Sequence, residues 1–243
     1  MTSKKIKRIF FLTPILLVVL LVSINYVSTY KIQFSGYYST KIWGHRANSL
    51  EKLKLGEKYF IGVELDLIYS DSLDILDVNH PPAASTNLSF NEYLSHIKDK
   101  KPNLWLDIKN LTPSNSKAIL FRIDSLLKRK NVSNKNILIE SNHPEVLPFF
   151  SDSGYKTSYY LPYLHDLKES KRRDTIMYIK SVLEQQPEVG ISSHFLSHPI
   201  MKQNFPDTDK YFWVLGNLIT FRSFFDIRNV LDDDSVKIVL VSY

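Results

Sequence analysis

Apolar residues along the chain alternate between short runs typical of buried strands and longer stretches with helical spacing. Runs rich in apolar and β-branched residues predict eight strands, at 41–47, 62–69, 103–111, 136–141, 155–162, 188–195, 211–218 and 236–243. Helical patterns lie between them, at 49–58, 89–99, 114–129, 144–152, 174–186, 197–204 and 220–231. Strands that alternate with crossover helices form a parallel sheet. Eight such units predict one α/β domain over residues 41–243, a closed (β/α)8 TIM barrel.

The N-terminal forty residues follow a different pattern. The segment 9–27 carries no charge and is nearly long enough to cross a bilayer as a helix. Four basic residues precede it, so we expect a cytoplasmic tail at 1–8, a single transmembrane anchor at 9–27 and a juxtamembrane linker at 28–40. The barrel would then be exported, to a periplasmic or extracellular location. A cleaved signal peptide has the same charged and then apolar shape, and it is the alternative.

The composition excludes several classes of protein. The chain has no cysteine, which excludes a disulfide framework, thiol catalysis and zinc sites built on cysteine. Its net charge is +6, but four of the 31 Lys and Arg residues lie in the N-terminal tail, and the remaining 27 nearly balance the 25 Asp and Glu residues. The charge therefore gives no reason to expect a nucleic-acid partner.

Polar residues cluster near the ends of the first three predicted strands, where the active sites of TIM barrels lie. They are His45 and Arg46 after the first strand, Glu64 and Asp66 on the second, His80 in the loop that follows, and Asp107 and Lys109 on the third. Side chains two apart along a strand point to the same side. The members of each spaced pair should therefore face the mouth of the barrel together.

Three carboxylates in this set indicate a metal site. Neighbouring carboxylates inside a barrel repel each other and lose hydration, so they need a cation or a proton. Glu64, Asp66 and Asp107 offer three oxygen ligands, which suit one hard divalent cation, Mg²⁺ or Ca²⁺, better than zinc. The alternative for an E-x-D pair in a strand is an exposed face with salt bridges.

The remaining residues of the set suit chemistry on an anionic substrate. His45 and His80 could act as general base and general acid. Arg46 and Lys109 could contact a phosphodiester. A lone histidine is usually structural, and for His96, His143, His165, His194 and His198 we favour that interpretation.

The segments HRANS, VELDL, NHPP and WLDIKN, in this order within residues 41–111, resemble the glycerophosphodiester phosphodiesterase family and the wider phospholipase-C-like phosphodiesterase barrels. The resemblance implies a TIM barrel and a phosphoric diester hydrolase. It assigns the catalytic centre to the His-Arg pair, the E-x-D pair and the downstream histidine. These residues are His45, Arg46, Glu64, Asp66 and His80.

The chain departs from the usual family pattern directly after Arg46. The family usually continues to Glu-Asn-Thr, whose Glu binds the metal, whereas this chain has Ala47, Asn48 and Ser49. The H-x-x-N-S pattern, followed by E-x-D and then H-P-P, resembles the menorin-like branch. The chain is also similar to the sphingomyelinase D toxins, which have an H-x-x-N start and use an Asp of a D-x-K pattern as the third metal ligand. That resemblance assigns the third ligand to Asp107. Asn48 and Trp213 are candidate substrate-binding residues, with a core position as the alternative for Trp213.

These observations predict a membrane-anchored, metal-dependent phosphodiesterase. It would cleave a P–O bond in a glycerophosphodiester or a phospholipid-like substrate. Attack by water and attack by a neighbouring substrate hydroxyl, which gives a cyclic phosphate, are both compatible with the residues. The alternative is a catalytically silent barrel that binds a ligand or a partner protein at the cell surface.

Overall fold

A computed structural model of the chain describes residues 13–23, 38, 40–98, 102–214 and 227–243. The strands are β1 (Ile42–Gly44), β2 (Gly62–Ser70), β3 (Ile75–Val78), β4 (Asn103–Ile108), β5 (Ile137–Ser141), β6 (Lys156–Tyr160), β7 (Gly190–His194), β8 (Lys210–Trp213) and β9 (Val236–Val241). The helices are α1 (Leu50–Tyr59), α2 (Phe90–His96), α3 (Ser116–Arg129), α4 (Leu147–Ser151), α5 (Glu169–Gln185) and α6 (His198–Asn204). Residues 227–231 are also helical and precede β9.

Eight parallel strands of the described chain close into a barrel. The sheet order is β1-β9-β8-β7-β6-β5-β4-β2-β3, and β1 also pairs with β2. The ring closes where Gly44 pairs with Val63 on one side and with Val241 on the other. The predicted TIM barrel is confirmed, and each of the eight predicted strands is present, although residues 215–218 of the seventh lie outside the described residues.

The strand β3 was not predicted. It runs antiparallel to the upper half of β2, with Leu67 opposite Val78 and Ser70 opposite Ile75. The turn between the two strands contains Asp74 in a left-handed conformation, at φ 48°. The hairpin returns the chain to the barrel mouth, where the Asn79 N–H donates to the Asp66 carbonyl oxygen at 3.1 Å.

The helices differ from the predictions mainly at their ends. The helix α5 begins at Glu169, five residues before the predicted start at 174, because its first turn is polar and lacks the apolar spacing that marks the rest. Ser49 caps α1 by accepting a hydrogen bond from the Lys52 N–H at 3.2 Å. Of the helix predicted at 220–231, residues 220–226 lie outside the described residues.

Aromatic and aliphatic side chains fill the barrel below the mouth. The interior cluster contains Trp43, Trp105, Leu138, Tyr211, Trp213, Ile238 and Leu240. The rings of Trp105 and Tyr211 meet edge to face, with centroids 5.7 Å apart. Gly62 gives Trp43 its space, since a Cβ there would lie 2.5 Å from the indole ring. This packed layer forms a floor, so the site above it is a pocket and not a channel.

The structure describes residues 13–23 of the predicted anchor at 9–27, which is more than half of it. Residues 13–23 are helical, whereas the predicted tail at 1–8 and nearly all of the linker at 28–40 lie outside the described residues. Among the described helices, none combines the length and the apolar character needed to cross a bilayer.

Candidate active site

One cavity at the C-terminal ends of the barrel strands collects most of the predicted site residues. It has a volume of about 250 Å³. Its lining consists of His45, Arg46, Glu64, Asp66, His80, Asp107, Lys109, Glu140, Tyr160, Tyr163, Trp213 and Leu240. Of the predicted residues, Asn48 alone is not part of this lining. Two parts of this lining are named below. The aromatic wall is Tyr160, Tyr163 and Trp213, and the charged wall is His45, Arg46, Glu64, Asp66, His80, Asp107 and Lys109.

Three carboxylates meet on the charged wall as the sequence predicted. Asp66 on β2 pairs in register with Asp107 on β4, and Glu64 precedes Asp66 by two residues on the same face. Oxygen atoms of the three side chains all lie within 4.8 Å of one another. The group can therefore hold a metal ion.

Burial and mutual repulsion oppose full ionisation of this group. Burial, followed by the charges of Asp66 and Asp107, raises the pKa of Glu64 well above its usual value. Burial also raises the pKa of Asp107, against the opposing effect of the Lys109 ammonium. Lys109 Nζ lies 2.7 Å from Asp66 Oδ1 and also contacts Asp107. One ammonium cannot neutralise three carboxylates, and the donor set of hard oxygen atoms fits a divalent cation of the Mg²⁺ or Ca²⁺ type.

The turn after β1 is hydrogen-bonded to Glu64 on β2. Arg46 has a left-handed backbone, at φ 56°, and its N–H donates to Glu64 Oε2 at 2.6 Å. The next residue, Ala47, donates its N–H to the Glu64 carbonyl oxygen at 2.8 Å. A non-glycine residue in this conformation is uncommon, and such positions are concentrated at functional sites.

Asn48 contacts Asp66 and lies behind it. Its Nδ2 donates to Asp66 Oδ2, and its Oδ1 accepts from the Asp66 N–H at 2.9 Å. One end of the amide therefore holds the carboxylate of Asp66 and the other end holds its backbone N–H. This contact orients a member of the acidic group from the side away from the cavity.

The two predicted catalytic histidines both lie next to Arg46: His45 precedes it in the chain, and His80 contacts its guanidinium. His45 is 9% exposed, and its Nε2 lies 3.7 Å from Glu64 Oε2. Burial, with a contribution from the positive charge of Arg46, lowers the pKa of His45 to about 3. His80 Nε2 lies 3.1 Å from Arg46 Nη2, and because a guanidinium can only donate, this ring nitrogen is an acceptor. Each imidazole thus has one ring nitrogen beside a charged group of the cavity, Glu64 for His45 and Arg46 for His80.

Glu140 was missed by the sequence analysis. It lies on β5 next to Asp107 in the sheet register, is 3% exposed and accepts a hydrogen bond from the Ser192 hydroxyl. Burial and the charge of Asp107 raise its pKa well above the usual value. The available signal was a single acid near the end of the apolar predicted strand at 136–141, but its proximity to Asp107 depends on the β4–β5 register.

The aromatic wall faces the charged wall across the cavity. Tyr160 and Trp213 are stacked, with ring centroids 5.0 Å apart and an interplanar angle of 12°. Tyr163 lies beside them, with its centroid 6.3 Å from that of Trp213. Trp213 belongs to the interior cluster and also lines the cavity, so it has a core position, and its role in substrate binding stays a prediction.

The other histidines lie outside the cavity lining. His198 is buried and its Nε2 lies 2.9 Å from Asp233 Oδ2, which suits a structural role. His165 and His194 lie next to Tyr163, with their own ring centroids 5.4 Å apart. His96 contacts the Glu92 carbonyl oxygen, and His143 contacts the Glu145 carboxylate.

Comparison with solved structures identifies the architecture. A glycerophosphodiester phosphodiesterase from Parabacteroides distasonis is similar with a TM-score of 0.59 and 15% identity, over 84% of this chain and 92% of that chain. A candidate glycerophosphoryl diester phosphodiesterase from Agrobacterium tumefaciens gives a TM-score of 0.60 and 14% identity, over 83% of this chain and 93% of that chain. The chain has the fold of the glycerophosphodiester phosphodiesterases.

A third similar structure carries a ligand. It is a phosphodiesterase from Oleispira antarctica in complex with the product sn-glycerol-3-phosphate, with a TM-score of 0.55 and 12% identity, over 82% of this chain and 92% of that chain. At these identities the likeness concerns the fold. The sequence matches no protein-family model and no curated protein sequence. The finer resemblance to the menorin-like and sphingomyelinase D branches stays a prediction.

Proposed function

We propose that the chain is a metal-dependent phosphodiesterase that cleaves a P–O bond in a glycerophosphodiester or phospholipid-like substrate. One observation carries the proposal. Three carboxylates, two histidines, an arginine and a lysine share one cavity at the catalytic end of a barrel with the glycerophosphodiester phosphodiesterase fold. The cavity has the size of a small polar substrate, and its groups match the charge of a phosphodiester.

Glu64, Asp66 and Asp107 would hold one divalent cation, Mg²⁺ or Ca²⁺. When bound, the ion would stabilise negative charge on the phosphoryl oxygens as a Lewis acid. Asn48 is a positioning residue in this proposal, because it fixes both the carboxylate and the backbone of Asp66. Such supporting hydrogen bonds orient metal ligands and tune their affinity.

The histidines would move the two protons of the reaction. One imidazole accepts the proton of the attacking hydroxyl, either of water or of a neighbouring substrate group, as the new O–P bond forms. The other donates a proton to the oxygen that leaves as the old P–O bond breaks. His45, His80 and Arg46 line the same cavity, so both imidazoles would be near a phosphate bound by Arg46.

The two cations would bind the phosphoryl oxygens. Arg46 is exposed at the mouth, and its guanidinium geometry suits two parallel hydrogen bonds to a phosphate. Lys109 is held deeper by Asp66 and Asp107. It would contact the same group from the side of the acidic residues and stabilise the additional charge of the transition state.

Hydrolysis of bis(p-nitrophenyl) phosphate and of a glycerophosphodiester by the purified full-length chain tests this proposal. We expect activity that chelation with EDTA abolishes and that Mg²⁺ or Ca²⁺ restores. Asp107→Asn should lack the restored activity, whereas the exposed carboxylate variant Glu145→Gln should keep it. Absence of hydrolysis with either ion, in a protein that is folded, would contradict the proposal and favour the silent barrel.

An exported, membrane-anchored location is part of the proposal. The uncharged segment 9–27 after a basic tail supports it, as do the apolar side chains of residues 15–22, which are all exposed on the helical segment 13–23. Membrane fractionation with N-terminal sequencing tests it. A mature protein in the soluble fraction, beginning beyond residue 20, would instead indicate a cleaved signal peptide.

A further inference from the structure

Tyr243, two residues after β9, packs on the outer side of β1 and takes no part in the proposed mechanism. Trp43 and His45 face the barrel interior, so Gly44 between them faces outward. A Cβ at Gly44 would lie only 2.6 Å from Tyr243 Cε1. The phenol ring therefore occupies the place that a side chain of residue 44 would take.

The same ring contacts the first helix. A Cβ at Gly56 on α1 would lie 2.9 Å from Tyr243 Oη. The Tyr243 hydroxyl donates to the Lys52 carbonyl oxygen at 2.9 Å, and Lys52 Nζ lies 5.6 Å from the ring centroid. Phe60, directly after α1, meets Tyr243 with ring centroids 5.0 Å apart. Two glycines, one on β1 and one on α1, thus leave a space between strand and helix that this ring fills.

These contacts lie at both ends of one short segment of the chain. The segment 45–51 runs from the strand to the helix, and Tyr243 contacts the residue before it and the residue after it. It contains His45, Arg46 and Asn48, three of the predicted site residues. Holding both ends of a segment reduces the conformations open to the residues between them.

Hydrogen bonds hold the same segment on its other side. The N–H groups of Arg46 and Ala47 donate to the Glu64 side chain and to its carbonyl oxygen. The left-handed backbone of Arg46 is a conformation that a non-glycine residue adopts only where its surroundings support it. Burial, followed by the charge of Glu64, raises the pKa of Tyr243, so its hydroxyl stays a hydrogen-bond donor in neutral solution. The turn is therefore held between Glu64 and this phenol.

We propose that Tyr243 is a positioning residue that holds the turn after β1, and with it His45 and Arg46, in the geometry that the reaction needs. This inference rests on the proposed phosphodiesterase function and adds a residue to it. Tyr243 acts through packing and one hydrogen bond, and it does not touch the substrate. Loss of the ring leaves a space between Gly44 and α1 into which the turn can shift. A displacement of reacting groups by about 1 Å can lower a rate about 10²-fold.

The first experiment measures hydrolysis of bis(p-nitrophenyl) phosphate by full-length Tyr243→Ala and Tyr243→Phe. We expect Tyr243→Ala to lower kcat/KM about 10- to 100-fold. Both constants should change, because the turn carries His45, which acts on kcat, and Arg46, which acts mainly on KM. Tyr243→Phe keeps the ring and loses one hydrogen bond, so its kcat/KM should stay within about fivefold of the wild type.

The matched control is Tyr155→Ala. Tyr155 is buried in the core cluster against which Tyr243 packs, but it precedes β6, at the end of the barrel opposite to the cavity. This variant should unfold at a lower urea concentration and keep the wild-type kcat and KM. A fall in kcat of Tyr243→Ala at unchanged KM would mean only that less of the enzyme is folded, and it would overturn the inference. An equal change of both constants in Tyr155→Ala would also overturn it.

The second experiment tests the contact with Gly44. In Gly44→Ala the added methyl group must displace the Tyr243 ring, so kcat/KM should fall at least about tenfold. In the Tyr243→Ala background the methyl group has space, and the same change should cost less than about threefold, since residues in contact have non-additive effects. An equal cost in the two backgrounds would overturn the inference.

Amide hydrogen exchange separates this inference from the proposed function, because it needs no substrate. Exchange of the Arg46 and Ala47 N–H groups reports how often the turn opens, and in Tyr243→Ala it should be at least about tenfold faster. In Tyr155→Ala it should keep the wild-type rate at these two positions.

Faster exchange at the turn in Tyr243→Ala, together with a wild type that hydrolyses no phosphodiester, would support the packing role of Tyr243 while the phosphodiesterase proposal fails. Hydrolysis by the wild type, with unchanged exchange at the turn in Tyr243→Ala, would overturn the positioning role alone. If Tyr243→Ala does not fold, Tyr243→Leu replaces it, with the same expected directions and the same overturning results.

Discussion

The two walls of the cavity differ in charge, in their origin along the chain and in the work they can do. The charged wall comes from β2 and β4 and from the segments that follow β1, β3 and β4, within 65 residues of sequence. The aromatic wall comes from β6 and β8, and from the loop after β6. Groups on the first wall can transfer protons and hold an ion, whereas the second wall offers aromatic ring faces for binding. The contrast suggests that bond cleavage and substrate selection are assigned to separate halves of the barrel.

The histidines provide the strongest test of this division. Replacing His45 or His80 with Ala should lower kcat by about 10²- to 10⁴-fold with the fold intact, which is the usual contribution of a positioned acid or base. His165→Ala, beside the aromatic wall, should change kcat much less. In the wild type we expect a bell-shaped dependence of kcat/KM on pH. Normal activity in both His45→Ala and His80→Ala, or an equal loss in His165→Ala, would refute the division.

Metal affinity should depend on the charged wall. Glu64→Gln removes one ligand of the ion. Loss of a residue that only hydrogen-bonds to a ligand typically lowers metal affinity about 10- to 100-fold, so we expect at least this loss of affinity for Mg²⁺ or Ca²⁺. Calorimetric titration of the purified chain measures the change, with Glu145→Gln as the control. Ion binding that is unaffected in Glu64→Gln would show that the acidic group is not the metal site.

Arg46 lies at the entrance to the charged wall, and its removal should affect substrate binding more than turnover. Arg46→Ala should lower kcat/KM by roughly 10- to 100-fold, as expected for a charged hydrogen bond, with most of the loss in KM. Arg46→Lys keeps the charge without the paired geometry and should recover part of the loss. A loss confined to kcat would instead assign Arg46 to the transition state alone.

Acidification should weaken ion binding by a smaller, graded amount. Because burial and mutual repulsion raise the pKa of Glu64 and Asp107, protons occupy these carboxylates at a higher pH than ordinary ones. The ion must displace those protons, so its apparent affinity should fall as pH falls, by at most about tenfold per pH unit for each proton displaced. Calorimetry between pH 8 and 5 measures the slope. An affinity that is constant over this range would mean that both carboxylates are already ionised.

The barrel and most of the charged wall can be predicted from the sequence, because they depend on patterns of neighbouring residues. Apolar strands alternate with helices along the chain, and this order predicts the barrel. The two-residue period of a strand predicts that Glu64 and Asp66 share a face. The short motifs that form the charged wall follow one another along the first three predicted strands. Because neighbouring parallel strands end at the same mouth of the barrel, this order predicts that the motifs meet there.

Two features of the site depend on chain geometry that the motifs do not contain. His80 reaches the charged wall because the unpredicted hairpin of β2 and β3 returns the chain to the level of Asp66. Arg46 turns toward Glu64 through a left-handed backbone that its residue type does not favour. A pattern of apolar residues predicts neither the hairpin nor the left-handed turn, so neither contact could be predicted from it.

Apart from Trp213, which the sequence analysis named, the composition of the other half of the cavity was decided by the tertiary structure. Glu140 joins the site because β5 pairs with β4 in a register that sets it beside Asp107. Tyr160 and Tyr163 are two of 14 tyrosines, and nothing in their local sequence separates a ring that lines a cavity from one that fills a core. The sequence by itself determined which side chains share a face of each strand, because side-chain direction is set within a few residues. Which faces meet across the barrel depends on strand pairing and core packing between residues far apart in the chain, and these arise only when the whole barrel closes.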